Sequence, residues 1–201
     1  LLEKERDEMK YYQKLADLYT PMVKLMSSEY CNQIAYDSIQ IHGGTGFMKD
    51  FPVERLYRDA RITSIYEGTS QLQVVAAIRG VNTGVYLSKI REYENESFSP
   101  DVEPLRKKLM EMTAEYENAI LKSNRSDDSE CHDFLARRLV EMAAHIIMGY
   151  LLLLDSERDS VYRDSSRIFI QLAQSWNRER MLFIDQFDPA DLGIYKVNGM
   201  K

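Results

Sequence analysis

A glutamate next to a glycine is a candidate general base in this sequence. It lies in the segment Ile65-Tyr66-Glu67-Gly68-Thr69-Ser70-Gln71. Ile65 and Tyr66 supply apolar bulk, and a carboxylate moved into an apolar, water-poor pocket becomes a stronger base. Gly68 has no side chain to clash, so the backbone there can come close to a bound molecule. By pattern alone, an exposed glutamate at a turn before a helix is the commoner arrangement.

Two stretches of backbone could bind an anionic or acceptor-rich group. Thr69, Ser70 and Gln71 open a predicted helix, whose free N–H groups and positive dipole end suit such a group. Gly43 and Gly44 are predicted to end an earlier helix, because glycine tolerates the left-handed conformation that closes helices. Ordinary helix capping explains both stretches without any ligand.

No metal site is predicted. His132 lies beside Cys131, but no partner ligands have suitable spacing, so a surface or capping role is favoured. His145 lies in an apolar helix and is expected to be a core histidine with its hydrogen bonds satisfied. Trp176 and the aromatic residues between 169 and 187 are expected to form core or a helix-packing stripe, with an interface role as the alternative.

Helices must position these residues. Residues 3–19 have a helical pattern, and Thr20-Pro21 is predicted to start a second helix that runs to about residue 41. A short helix is possible over 53–59, a turn surrounds Gly68, and the next helix is predicted from 70 to about 90. Three more helices are predicted at about 100–122, 130–154 and 160–187. The charged residues Arg55, Arg58, Asp59 and Arg61 are either a solvated surface or a packed ion-pair network.

The predicted fold class is all-α, because no segment shows sustained alternation of period two. A polar linker over 93–103 divides the chain into a helical bundle at 1–94 and a second small helical bundle at 95–201. The chain does not begin with Met, and its first residues already have the pattern of a helix interior. We therefore expect a fragment of a longer protein.

Net charge, cysteine content and the length of the apolar stretches exclude several classes of protein. A net charge of −6 argues against a nucleic-acid binder. Cys31 and Cys131 form no CxxC pair and no disulfide framework, which favours a reducing compartment, here the cytoplasm. The most apolar stretch, 139–154, contains Glu141 and His145 and is shorter than the roughly 20 residues that cross a bilayer, so a buried helix is expected.

Two segments together resemble the acyl-CoA dehydrogenase family. The first is Gln40-Ile41-His42-Gly43-Gly44-Thr45-Gly46-Phe47, followed by residues 52–61, which begin Pro-Val-Glu-Arg and include Arg58-Asp59-Ala60-Arg61. The second is the Glu67 segment, which resembles the family's Ile-Tyr-Glu-Gly-Thr pattern. The detailed match covers about residues 20–90. Residues 95–201 resemble, more loosely, the additional helical domain of longer bacterial members, while the family's amino-terminal helical and middle β-domains have no counterpart here.

The resemblance implies an FAD-dependent oxidation of acyl-CoA to trans-2-enoyl-CoA, of the kind used in fatty-acid β-oxidation. Glu67 would remove the α-proton while the β-hydrogen leaves as hydride to flavin N5, and the Glu67 amide would donate to the thioester oxygen. Some members carry the base on a different helix, whereas this chain keeps Glu here. Electron-transfer flavoprotein would be the acceptor, and the fragment alone would be inactive.

The resemblance also implies roles for the residues around Glu67. Tyr66 and Gly68 would contact substrate, and Thr69 and Gln71 would contact FAD of the same subunit. The FAD of a neighbouring subunit would be touched by Gln40, Gly43 and Gly44, so a homodimer or homotetramer is expected. His42 would serve packing or a ribose contact. The alternative is that the chain, or its residues 95–201, is a non-catalytic helical module for oligomerisation or interaction.

Overall fold

The computed structural model of the chain describes residues 3–124 and 129–195. Every regular element in these ranges is helical, which confirms the predicted all-α class. The helices are α1 Glu3–His42, α2 Gly44–Phe47, α3 Val53–Thr63, α4 Ser70–Val81, α5 Gly84–Glu94, α6 Glu103–Ser123, α7 Ser129–Arg158, α8 Arg163–Gln186 and α9 Leu192–Tyr195. Short 3-10 turns at Ser160–Tyr162 and Pro189–Asp191 precede α8 and α9. The three helices predicted for the second half are therefore present as α6, α7 and α8.

The first helix is continuous over 40 residues, so the predicted break at Thr20-Pro21 is wrong. A proline inside a helix removes one backbone hydrogen bond and costs about 3 kcal/mol. Pro21 is buried together with Leu18, Met22 and Leu25, and this apolar packing on both sides of the proline offsets the cost. The predicted end is confirmed, because Gly43 follows the last helical residue with a φ of 62°.

The first compact unit, Leu1–Gly80, is organised around α1. Helix α3 packs on α1 through the buried Val53 and Ala60, and the Asn32 side-chain amide donates to the Ala60 carbonyl at 3.0 Å. On the outer side of α3, Arg58 Nε lies 3.9 Å from Asp59 Oδ1, and the two side chains are 73% and 63% exposed. Of the two alternatives for this charged stretch, the structure therefore supports a solvated surface and not a packed ion-pair network.

The division between the two units falls earlier than the sequence predicts. The second unit is Val81–Lys201, so α5 belongs with it and the boundary is not at 94/95. The predicted long helix is interrupted at residues 82–83, and α5 then buries Tyr86 and Ile90 in the second unit. The Tyr86 ring lies edge-on to Tyr116 with centroids 5.4 Å apart. The polar segment 95–102 is therefore a loop within the second unit.

In the second unit, α6, α7 and α8 pack against one another around a core that α7 dominates. By length and composition alone α7 could cross a membrane, but 67% of its apolar window is buried within the structure. It has the character of a core helix, as predicted. Gly149 allows the close approach of its neighbours, because a Cβ there would lie 2.5 Å from Leu109 Cδ2.

Two buried tyrosines offer a matched test of this core. The Tyr116 hydroxyl donates to the Val81 carbonyl at 3.0 Å, and the Tyr86 hydroxyl donates to the Ala143 carbonyl at 2.8 Å. Val81 ends its helix, so its carbonyl lacks an intrahelical partner, whereas Ala143 lies in the middle of α7. We expect Tyr116→Phe to lower the free energy of unfolding by about 1–3 kcal/mol and Tyr86→Phe by only about 1 kcal/mol. Urea unfolding of the two variants measures the difference, and equal losses would contradict this view of the core.

Candidate functional site

The loop between α3 and α4 holds Glu67 in an uncommon backbone conformation. Glu67 has a φ of 50° and Gly68 a φ of 92°, and Glu67 is the one non-glycine residue with positive φ among the described residues. Such a conformation costs on the order of 1–3 kcal/mol and persists only where the surrounding structure enforces it. The loop is therefore held in place by its neighbours.

Hydrogen bonds from three directions supply that support. The Lys24 ammonium donates to the Thr63 carbonyl at 2.7 Å and to the Gly68 carbonyl at 2.8 Å. The Gln73 amide donates to the Glu67 and Gly68 carbonyls at 3.2 and 3.3 Å. Where α4 begins, the Ser70 N–H donates to the Ser64 carbonyl at 3.2 Å. These bonds fix the backbone on both sides of the Glu67 carboxylate without involving the carboxylate itself.

The start of α4 is capped as the sequence suggests. The Thr69 carbonyl accepts from the Gln73 N–H at 3.1 Å, and its hydroxyl accepts from the Leu72 N–H at 3.4 Å. The buried Ser70 hydroxyl donates to the Glu29 carboxylate at 2.5 Å, which ties α4 to α1. Thr69 and Gln71 are exposed beside this anchored start, so both remain accessible to another molecule.

The surroundings of Glu67 differ from the apolar pocket that the sequence suggests. Glu67 itself is exposed, and the apolar side chains beside it, Ile65 and Tyr66, are 46% and 48% exposed. Leu72 on the following helix is 58% exposed. The described residues thus present an apolar surface around the carboxylate but do not exclude water from it. A water-poor pocket at Glu67 requires a further molecule or chain segment to cover this surface.

The second predicted stretch lies at the far end of α1. Gln40, Gly43 and Gly44 are all exposed, and a Cβ at either glycine would meet no atom within 4 Å. The backbone there is open to close approach by a bulky group such as a pyrophosphate. Lys24, which supports the Glu67 loop, lies 16 positions before Gln40, or about 24 Å along the helix axis. The two stretches therefore cannot contact the same phosphate group.

Gly46 and His42 shape this end of the helix. A Cβ at Gly46 would lie 2.9 Å from the Ile39 carbonyl oxygen, so only glycine fits where the chain turns back over α1. His42 Nδ1 lies 2.8 Å from the Ser38 carbonyl, and its ring centroid lies 6.1 Å from that of Phe51. These contacts agree with a packing role for His42.

The buried histidine of the second unit is satisfied, as predicted. His145 Nδ1 lies 2.8 Å from the Asn177 side-chain oxygen, and the Asn177 amide donates to the Met142 carbonyl at 3.2 Å. Burial lowers the pKa of His145 from 6.5 to about 4. Trp176 is half-buried, and its ring centroid lies 5.2 Å from that of His145, which agrees with a helix-packing stripe. No cluster of three metal-binding side chains occurs in the part of the chain that the structure describes.

Gly68 is the position at which a small change should disturb the loop most. A Cβ there would lie 2.7 Å from Gln73 Nε2, and the positive φ disfavours any side chain. We expect Gly68→Ala to lower the free energy of unfolding by about 1–3 kcal/mol. Gly84→Ala is the matched control, because Gly84 has no atom within 4 Å of its Cβ position and lies in a helix. Urea unfolding of both variants is the measurement, and the expectation fails if Gly68→Ala is no less stable than the control.

Comparison with known proteins identifies the family. The model of the family "Acyl-CoA dehydrogenase, C-terminal domain" matches residues 6–81, and that of "Acyl-CoA dehydrogenase C terminal" matches residues 82–192. The border between these matches lies next to the structural division at Gly80 and Val81. The second match alone covers more than half of the chain.

Individual relatives match over shorter stretches. The acyl-CoA dehydrogenase of Bacillus subtilis is 54% identical over 52 residues, which are 26% of this chain and 14% of that protein. The mitochondrial short-chain specific acyl-CoA dehydrogenase of Rattus norvegicus is 56% identical over 52 residues, 26% of this chain and 13% of that protein. The caffeyl-CoA reductase-Etf complex subunit CarC of Acetobacterium woodii is also 56% identical over 52 residues, 26% of this chain and 14% of that protein. The chain thus spans only about a seventh of the length of these relatives.

Solved structures agree. The acyl-CoA dehydrogenase family protein of Porphyromonas gingivalis is 36% identical with a TM-score of 0.54, over 57% of this chain and 99% of that one. An acyl-CoA dehydrogenase of Bacillus anthracis complexed with FAD gives a TM-score of 0.67 at 17% identity, over 87% of this chain and 34% of that one, and so shows the shared fold. With both helical units matched by its C-terminal domain models, the chain belongs to the acyl-CoA dehydrogenase family.

Proposed function

We propose that this chain is the C-terminal part of an FAD-dependent acyl-CoA dehydrogenase and that Glu67 is its catalytic base. The observation that carries the proposal is the Glu67–Gly68 loop, which is held in a strained conformation by hydrogen bonds that leave the carboxylate free to react. Strained backbone of this kind concentrates at functional sites.

Glu67 would remove the α-proton of the acyl thioester. That proton is weakly acidic, so the base must be strong and the developing enolate must be stabilised. The Glu67 amide would donate to the thioester oxygen, while Tyr66 and the open backbone at Gly68 would contact the substrate. The exposed apolar side chains beside Glu67 are expected to become covered in the full enzyme, and this loss of water would strengthen the base.

The residues present fit an FAD at two places. Thr69 and Gln71 are exposed at the anchored start of α4, and Gly43 and Gly44 present open backbone at the end of α1, beside Gln40. Bound FAD would supply the acceptor for the β-hydrogen. Because the two places are about 24 Å apart along α1, we propose that they serve the FAD groups of two different subunits, which requires at least a homodimer.

The direction of the reaction and the redox partner are further parts of the proposal. By microscopic reversibility, the Glu67 that takes the α-proton in oxidation would return it in reduction of an enoyl thioester. The relatives include proteins named as dehydrogenases and as reductases, and one is named as a subunit of a complex with Etf. We propose oxidation of acyl-CoA, of the β-oxidation type, with an electron-transfer flavoprotein as acceptor.

Anaerobic mixing of the full-length enzyme with a panel of acyl-CoA thioesters tests this function. Loss of the oxidised flavin absorbance and formation of trans-2-enoyl-CoA are expected. Under this proposal the 201-residue chain alone should neither bind FAD tightly nor react, because the flavin site would be shared with other segments and subunits. A full-length protein that leaves its flavin oxidised with every thioester tested would refute the proposal.

A second candidate function rests on the separate core of residues 81–201. That unit has its own buried centre in α6, α7 and α8, so it could serve as a helical module for oligomerisation. Sedimentation of the full-length protein with and without residues 81–201, the whole second unit, tests this role. An unchanged oligomeric state would reject the module.

A further inference from the structure

We infer that Lys24 is a positioning residue for proton transfer at Glu67, an inference that rests on the proposed function. Lys24 lies on α1, outside both sequence motifs that resemble the family. Its ammonium donates to the carbonyl of Thr63, which ends α3, and to the carbonyl of Gly68, which follows Glu67. One charged side chain therefore bridges the two ends of the loop that carries the base.

The chemistry of these bonds makes the bridge strong. Hydrogen bonds from a charged donor are roughly twice as strong as neutral ones. Thr63 is the last residue of α3, so its carbonyl lies at the negative end of the helix dipole and lacks a helical partner. The Lys24 side chain is also half-buried, which limits competition from water.

The ammonium acts on both neighbours of Glu67. It lies 5.7 Å from the centroid of the Tyr66 ring, within reach of a cation–π interaction, and 2.8 Å from the Gly68 carbonyl oxygen. The Gln73 amide supports the same turn, but its bonds of 3.2 and 3.3 Å are longer and neutral. Lys24 is thus the main support of a backbone that glutamate does not adopt readily.

Removal of this support would let the loop relax toward negative φ and displace the Glu67 carboxylate. A misplacement of about 1 Å can slow a reaction by roughly 10²-fold. Both hydrogen bonds of Lys24 go to backbone carbonyls, so it acts through the loop rather than on the substrate. The limiting rate of the chemical step should therefore fall while substrate affinity is kept.

The test is anaerobic stopped-flow reduction of FAD in the full-length enzyme carrying Lys24→Met, Lys24→Gln or Lys24→Arg. Lys24→Met should lower the limiting rate by about 10- to 100-fold, with the acyl-CoA dissociation constant within about twofold of wild type. Lys24→Arg, which keeps charge and multiple donors, should restore the rate to within about threefold, with Lys24→Gln between the two. An α-deuterated thioester should give an isotope effect on Lys24→Met at least as large as on wild type.

Asn32→Ala is the matched structural control. Asn32 also bridges α1 to α3: its amide donates to the Ala60 carbonyl at 3.0 Å and to the Thr63 hydroxyl at 3.4 Å. Unlike Lys24, it bonds neither the Thr63 carbonyl nor the Gly68 carbonyl. Its loss should lower the melting temperature without changing the limiting rate. A wild-type rate in Lys24→Met, or a Lys24→Arg as slow as Lys24→Met, overturns the inference. If Lys24→Met fails to fold, a wild-type rate in Lys24→Gln overturns it.

Glu67→Gln in the same series separates this inference from the function on which it rests. If Glu67→Gln reduces FAD at the wild-type rate, the proposed function fails. If Glu67→Gln is inactive while the Lys24 variants all react normally, only the role of Lys24 fails.

Discussion

Replacing Glu67 by Gln should slow FAD reduction by acyl-CoA about 10²- to 10⁴-fold in the full-length enzyme, the range that a positioned general base contributes. Glutamine has nearly the same shape but cannot accept the α-proton. The loop should keep its conformation, because the bonds from Lys24 and Gln73 reach backbone carbonyls and not the Glu67 side chain. Stopped-flow measurement of the limiting rate gives the size of the effect.

Controls separate loss of the base from loss of the site. FAD content and the dissociation constant for acyl-CoA should stay within about twofold of wild type, because the backbone donors are retained. Glu8→Gln on the exposed start of α1 removes one negative charge far from the loop and should react normally. A Glu67→Gln enzyme that reduces FAD as fast as Glu8→Gln would show that the base lies elsewhere.

The second unit should lose stability in acid through His145. Burial lowers the pKa of His145 to about 4 in the folded state, against an ordinary 6.5. The unfolded chain therefore binds this proton more tightly, so the stabilisation is complete above pH 6.5 and is lost as the pH falls from 6.5 to 4. A difference of this size corresponds to about 3 kcal/mol in the free energy of unfolding.

The matched variant for this effect is His145→Gln, which does not titrate and can still bond to Asn177. Glu141 also contributes to the loss of stability in acid. Burial by itself would raise the pKa of its carboxyl, but the charges and hydrogen bonds of Arg180 and Arg137 outweigh burial and lower this pKa. That contribution is common to both proteins. Urea unfolding at pH 7 and pH 4 should show wild type losing about 3 kcal/mol more than the variant. Equal losses would mean that His145 is not held neutral.

The helices themselves could be predicted from periodicity and from chain-breaking residues. Gly43 ended α1, Asp188-Pro189 ended α8, and the absence of alternation excluded sheet, all from local chemistry. The prediction that a helix starts at Pro21 was wrong because the cost of a proline is local, whereas the burial that offsets it arises only in the folded unit. The predicted boundary at 94/95 was wrong for a similar reason. Tyr86 of α5 contacts Tyr116 and Ala143, which lie 30 and 57 positions away in the sequence.

For the site, the sequence indicated the residues but not what holds them. Motif spacing pointed to Glu67 and Gly68, and the structure adds the positive φ of both. Lys24 could not be found in advance, because a lysine on a helix is ordinarily a solvated charge and its two acceptors are backbone carbonyls 39 and 44 positions away. The exposure of Glu67 is what the local pattern alone favours, whereas a water-poor pocket depends on which chain segments cover the surface.

Exchange of the α-proton tests the role of Glu67 most directly, because it isolates proton abstraction from the redox step. A CoA thioester with sulfur in place of the β-carbon can lose its α-proton but has no β-hydrogen to transfer. In deuterium oxide, the full-length wild-type enzyme should exchange the α-hydrogens of this thioester for deuterium, as followed by proton NMR. Glu67→Gln should bind the same thioester and leave its α-hydrogens in place. Exchange by Glu67→Gln at the wild-type rate would contradict the assignment of Glu67 as the base.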